Sequence, residues 1–214
     1  MPPEAAPALR PPTPELLREQ VVLEEHDLAR DGTFAVVTRR AVDAADYVSH
    51  LWVVSVPDGG EPQQLTRGRV RDMRPAVSPD GTRVAFTRRV PGEERTHLLV
   101  AGVGGGMPEA QLGLGELDPG QPVWSPDGRW LAFTAETGPE RLIVGGRPAK
   151  GEPLARVVTT LDYRADEVGY LDRRSQLSVV AADGSREPRQ ATDIANGVAG
   201  IPAWRPDGRA LAFT

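Results

Sequence analysis

The sequence predicts an all-β fold, a partial β-propeller of four-stranded antiparallel blades, about three and a half in number. Three observations predict it. A thirteen-residue hairpin recurs as PAVSPDGTRVAFT (75–87), PVWSPDGRWLAFT (122–134) and PAWRPDGRALAFT (202–214), with seven positions identical in all three copies. A second repeated unit lies between these hairpins. The chain also carries 23 Gly and 21 Pro in 214 residues, a supply of turns that suits many short strands.

From the N-terminus, the proline-rich residues 1–12 read as a flexible or extended arm. Thr13 can cap a helix, Pro14 suits its first position, Glu15 adds favourable charge there, and LLREQ follows, so a short helix is predicted. Residues 1–20 are therefore assigned to the arm and helix and 21–214 to an incomplete propeller domain. Its blades are expected at about 21–68, 69–115 and 116–194, with a truncated fourth at 195–214.

A weaker copy of the hairpin, HDLARDGTFAVVT, spans 26–38 and keeps the Asp-Gly and the final Thr. Pro79, Pro126 and Pro206 have φ preset for the first corner of a type I turn. The following Asp tolerates the second corner, and Gly81, Gly128 and Gly208 supply the positive φ that closes it. In the strand that follows, Val84 and Phe86 share one face while Ala85 and Thr87 share the other. Neither face is strongly polar, which predicts a strand covered on both sides, as when small sheets stack around an axis.

The second unit is an apolar strand, a Gly-rich turn and a more polar strand: LWVVSVPDGGEPQQLT (51–66), LSVVAADGSREPRQAT (177–192) and the looser HLLVAGVGGGMPEAQL (97–112). One hairpin of each type makes a four-stranded blade. Asp31 to Asp80 is 49 residues and Asp80 to Asp127 is 47, near a usual blade period, whereas Asp127 to Asp207 is 80. The third blade is thus predicted to carry an insertion of roughly 30 residues, at about 142–174. A ring closes with about 4–8 blades. Three and a half leave two apolar blade faces without neighbours, so the remaining blades are expected in a continuation of the polypeptide or in a separate chain.

The chain is 39% hydrophobic and 26% charged with a net charge of −5, and its pI of about 5.3 gives no electrostatic reason to expect nucleic acid. It has no cysteine, which excludes disulfides, thiolate metal sites and a cysteine nucleophile from it. The N-terminus lacks the apolar core of a secretory signal, and no run of 18 apolar residues offers a membrane span. A cytoplasmic protein with no membrane partner is expected.

The hairpins alone resemble repeats of several propeller families, TolB-like periplasmic proteins among them. TPELLREQVVLEEHDLARDGTFAVVTRR (13–40) resembles the start of acylaminoacyl-peptidase-type members of the prolyl oligopeptidase family of serine peptidases, where a Pro-Glu-x-Leu helix enters the first blade. LDYRADEVGYLDRRSQLSVV (161–180) resembles the Arg-x-Asp-x-x-Gly-Tyr stretch ahead of a Leu-rich strand in that family. Two departures are local: Ala29-Arg30 replaces Ser-Pro in the first turn, and Arg205 replaces Ser in the fourth, with Asp-Gly kept in both. A third is large. The family follows its propeller with an α/β-hydrolase domain bearing a Gly-x-Ser-x-Gly elbow, then Asp and His, and no such elbow exists here. The resemblance implies a propeller that gates short peptides toward a hydrolase active site outside this chain, so that the segment alone is catalytically inert. The implied partners are the remaining blades, the hydrolase domain and short peptide substrates. The alternatives are a non-enzymatic TolB-like interaction propeller and a half-propeller that closes a ring with a second copy, as a homo-oligomer.

No catalytic, cofactor-binding or metal-binding residue is assigned. Ser185, in Asp183-Gly184-Ser185, lacks the second glycine and the strand-to-helix setting of an elbow and reads as a turn serine. His26, His50 and His97 are spread over separate repeats without ligand spacing. GVGGGM (102–107) lacks the lysine of a phosphate loop and reads as a hairpin turn; RGRVRDMR (67–74) reads as a solvated connection between blades. Trp124, Trp204 and Phe86 occupy repeated positions and are expected in the core, and Asp80, Asp127 and Asp207 are explained by their turns. Some dipeptide-releasing relatives hold a substrate amine with paired propeller glutamates. Glu24-Glu25 and Glu93-Glu94 match no such motif and are expected to be solvated.

Overall fold

In the computed structural model, which describes residues 13, 15–44, 46–104, 107, 109–138, 143–144, 147–148, 164–165, 169–170 and 173–214, antiparallel strands follow the repeats. The first blade holds β1 (Val22–Leu28), β2 (Phe34–Asp43), β3 (Asp46–Ser55) and β4 (Gln63–Gln64), paired in chain order. The second repeats this with β5 (Arg71–Val77), β6 (Arg83–Arg89), β7 (Thr96–Gly102) and β8 (Ala110–Gln111). A single parallel bridge, Ser49 to Arg71, links the two into one hydrogen-bonded sheet.

The third blade begins with β9 (Val123–Trp124) and β10 (Trp130–Thr137). Between its second and third strands lie two short hairpins, β11 (Ile143–Val144) with β12 (Arg147–Pro148) and β13 (Arg164–Ala165) with β14 (Gly169–Tyr170). The blade resumes with β15 (Arg174–Ala181), which pairs directly with β10, and β16 (Arg189–Gln190). The predicted insertion therefore falls between two strands that pair directly with each other; most of its residues lie outside those described. A final hairpin pairs β17 (Ala203–Trp204) with β18 (Leu211–Ala212). The arm at 1–12 and Pro14 also lie outside the described residues. The helical segment is one turn, α1 (Leu16–Glu19), entered by a bond from the Leu16 N–H to the Thr13 carbonyl at 3.0 Å, and it packs against β2.

The turns form as their chemistry requires. Gly32, Gly81, Gly128 and Gly208 have φ of 74°, 70°, 68° and 70°, where a Cβ is unfavourable. Each glycine N–H reaches back to the carbonyl three residues earlier, as Gly81 does to Ser78 at 2.9 Å. The serine does more than start the turn. Ser78 Oγ donates to Asp80 at 2.6 Å and accepts the Arg83 N–H at 2.9 Å; Ser125 does the same with Asp127 and Trp130 at equal distances. Where Arg205 replaces Ser, its Nε donates to Asp207 at 2.8 Å, and where Ala29 replaces it, the Thr33 hydroxyl donates to Asp31 at 2.7 Å. The departures are accommodated because each turn retains a donor for its aspartate.

The paired side chains after each turn set how blades stack. Val84 and Phe86 join Val36 and Leu51 in a cluster between the first and second blades. Ala85, on the opposite face, joins Leu131 and Phe133 in the cluster between the second and third. Ala132 in turn faces Leu177, Val179 and Val198, with Trp204 and Leu211 packed against them. At the second and third seams large residues of the later blade thus join the cluster of the earlier blade's alanine, Ala85 or Ala132, whereas at the first seam Val36 holds the equivalent position. Val84, Ala85, Phe86, Leu131, Ala132 and Phe133 are all 0% exposed, so the strand is covered on both faces. Neighbouring first strands (β1 with β5, β5 with β9, β9 with β17) touch, which sets the blades radially with their first strands innermost.

Candidate functional site

The innermost strands line a cleft of about 760 Å³ to which each repeat contributes. Its wall is Glu24 to Leu28 on β1, Pro75 to Pro79 on the second blade, Gln121 to Trp124 on the third, and Ile201 ahead of β17. The strands bend into this shape through two facing bulges. β1 slips register between Leu23 and His26, and β5 between Met73 and Ala76. At the second bulge Arg74 takes φ of 56°, a conformation unfavourable for a side-chain-bearing residue. Its backbone N–H is held by the Glu25 carboxylate, and its Nη1 donates to the Pro119 carbonyl at 3.1 Å.

Interblade hydrogen bonds fix the cleft. Asp27 Oδ2 accepts the Val77 N–H at 2.7 Å. The Trp124 indole N–H donates to the Ala76 carbonyl at 2.8 Å and the Trp204 indole to the Val123 carbonyl at 3.1 Å. The position matching these tryptophans in the second blade is Val77, which has no side-chain donor, and there the carboxylates of β1 replace the indole. Trp124 is 7% exposed and carries Arg83 over its ring at 4.7 Å, so it is a packing residue with a polar tip.

The sequence-predicted residues fall as follows. Ser185 sits in a tight turn, its N–H on Asp183 Oδ1 at 2.9 Å, with Gly184 at φ of 71°. His50 bonds the Gly68 carbonyl at 2.8 Å, His97 lies between Glu93 and Gln111, and His26 alone lines the cleft. Glu24 pairs with Arg40 at 3.1 Å, so the Glu24-Glu25 pair is engaged within the fold instead of solvated. Residues 102–104 and 107 fall at a turn whose other members lie outside those described. Among the described residues, no three His, Asp or Glu are grouped to hold a metal ion, and no helix is long and apolar enough to cross a membrane.

A second expectation is overturned. The 67–74 stretch is not simply a solvated connection, because it runs into β5 and buries Asp72 completely. Arg88 grips both Asp72 oxygens, at 2.6 and 2.9 Å, and also pairs with Glu109. Burial works against the Arg88 charge, but the hydrogen bonds it donates to Asp72 and Glu109 outweigh it and raise its pKa. The signal was hidden because Arg88 and Glu109 lie 16 and 37 residues from Asp72 in sequence.

The turn aspartates are electrostatically settled. Hydroxyl donation by Ser78 holds Asp80 below the usual carboxylate range, and Ser125 does the same for Asp127. The Thr33 N–H lowers Asp31 and the Arg205 guanidinium lowers Asp207.

No family model and no curated protein matches the sequence. Solved structures do match it in shape. An acylaminoacyl peptidase in complex with a Z-Gly-Gly-Phe chloromethyl ketone superposes with a TM-score of 0.65 at 13% identity, over 92% of this chain and 28% of that one. A TolB protein from Agrobacterium tumefaciens gives 0.57 at 21% identity, over 88% of this chain and 52% of that one. The β-propeller domain of the trilobed protease from Pyrococcus furiosus, described as having an open velcro topology, gives 0.55 at 12% identity, over 87% and 47%. The chain therefore has the propeller fold and spans from about a quarter to a half of these proteins' lengths.

Proposed function

We propose that this chain is the propeller portion of a serine peptidase resembling acylaminoacyl peptidases, and that it gates the access of short peptides to an α/β-hydrolase active site outside residues 1–214. The observation that carries the reading is the cleft itself. Three radially set blades line it with or beside their first strands and the final hairpin adds Ile201, and its walls are tied by indole, carboxylate and backbone hydrogen bonds. A cleft walled by rigid sheets admits extended peptides and excludes folded proteins, which is how such a domain imposes selectivity on a nucleophile it does not carry. The shape match to an acylaminoacyl peptidase over 92% of the chain supports the same context. The chemistry would be attack of an activated serine on the acyl carbon, followed by hydrolysis of the acyl-enzyme, performed entirely by the partner domain.

A TolB-like interaction propeller is the second reading, favoured by the match to the Agrobacterium protein. Fluorophosphonate labelling of the complete gene product, followed by peptide mapping, separates them. Label on a serine outside 1–214 is the expected result. Label on a serine within 1–214 overturns the gating role, and an unlabelled protein that hydrolyses no acyl-amino-acid ester leaves the interaction module.

A further inference from the structure

A second cleft, of about 270 Å³, opens where the turns of the second and third blades meet, and it has different chemistry. Its lining carries three cations, Arg83, Arg129 and Arg186, against two carboxylates, Asp127 and Asp183, beside Trp130. Arg83 lies over the Trp124 ring at 4.7 Å and donates Nη2 to the Gly128 carbonyl at 2.7 Å. Arg186 lies over the Trp130 ring at 5.8 Å. Among the described residues neither guanidinium is paired with a carboxylate.

The two aspartates do not cancel these charges. Asp127 Oδ1 accepts the Arg129 N–H at 3.1 Å and Asp183 Oδ1 accepts the Ser185 N–H at 2.9 Å, and neither carboxylate forms an ion pair with Arg83 or Arg186 among the described residues. Both also interact electrostatically with Arg129, whose side chain bears their field. Asp80 bears part of the Arg83 field without forming an ion pair with it, and Arg83 and Arg186 are cations from two different blades facing one space. An arginine stacked on an aromatic ring keeps its remaining N–H groups fanned in a fixed plane. Little freedom is then lost when those groups take up an oxygen pair.

We propose that this cleft binds an oxyanion, a phosphate or a carboxylate, held by the free edges of Arg83 and Arg186 beside Trp130. The site is independent of the axial cleft and of the gating role, and it would tie the turn face of the propeller to an anionic ligand or to an acidic group of a partner.

Titration of the full chain with inorganic phosphate at constant ionic strength tests this, read by NMR at the Trp130 indole and the Gly128 and Ser185 amides. Saturable shifts at these groups are expected, weakened about tenfold by Arg186→Ala, the loss of one charge-assisted contact. Arg186 is exposed, so this variant should stay folded. Arg83→Lys, which keeps the charge and removes the planar fork, should weaken binding similarly. A parallel titration with a capped acidic peptide distinguishes the sources: competition with phosphate points to a partner's carboxylate, and its absence to free phosphate. Shifts that never saturate, or that survive both substitutions unchanged, overturn the proposal.

Discussion

Trp124 on the third blade and Ala76 on the second are joined by an indole-to-carbonyl bond of 2.8 Å, between residues 48 apart in sequence. The same bond recurs between Trp204 and Val123. One aromatic side chain therefore both fills the seam between blades and satisfies a backbone acceptor on the inner strand.

Trp124→Phe tests that double role. The ring is largely kept while the donor is lost, removing the interblade hydrogen bond to the Ala76 carbonyl in a buried seam. A destabilisation of about 1–3 kcal/mol is expected by urea denaturation. Trp124→Ala should cost more, about 3–5 kcal/mol, because a cavity is added. A Trp124→Phe variant as stable as the parent would mean the hydrogen bond contributes nothing, and equal losses for the two variants would mean the ring adds nothing beyond its donor.

Asp72 is the buried half of an ion pair whose other member, Arg88, also holds Glu109. Asp72→Asn leaves the Arg88 charge beside a neutral partner in a site where Arg88 is 14% exposed. A loss of about 3–5 kcal/mol is expected, the usual result of breaking one side of a buried pair. Glu109→Gln, at the more open end, should cost under about 1 kcal/mol. If the two substitutions proved equally mild, Asp72 would be an incidental contact.

The hairpins were legible because their determinants are local. Asp-Gly spacing sets each turn, and the order Val84-Ala85-Phe86 announces a strand covered on both faces. The axial cleft was not legible. It is made by Glu25 reaching Arg74 and Asp27 reaching Val77, contacts 49 and 50 residues apart that leave no periodic mark. The burial of Asp72 and the positive φ of Arg74 were hidden for the same reason. A charged residue within a basic run looks solvated until the partner strand is in place.

Acid should loosen the turns before it touches the apolar seams. The folded pKa values of Asp31, Asp80, Asp127 and Asp207 all lie below their unfolded ones. Groups with lowered folded values contribute stability that is complete above the unfolded pKa, about 3.9, and is lost as pH falls through the folded values. The midpoint of thermal unfolding should therefore be flat from about pH 7 to 5 and drop below about pH 4. Asp127→Asn should lower stability at neutral pH and flatten the acid limb. An unchanged slope in that variant would show that its turn carries no linkage.

The stacking of blades rests on an alanine facing larger residues, and this can be tested by exchange of volume. Ala85 shares a buried cluster with Leu131 and Phe133 of the next blade, and all three are 0% exposed. Ala85→Leu should cost about 1–3 kcal/mol by overpacking, since the seam has no space for three added carbons. Phe133→Ala should cost about 3–5 kcal/mol by leaving a cavity. If the two residues meet across the seam, the leucine partly fills the space vacated by the ring. The double variant should then be more stable than the sum of the singles by about 0.5–3 kcal/mol, measured by urea denaturation as a double-mutant cycle. Strict additivity would separate the two residues and remove the packing rule that orders the blades.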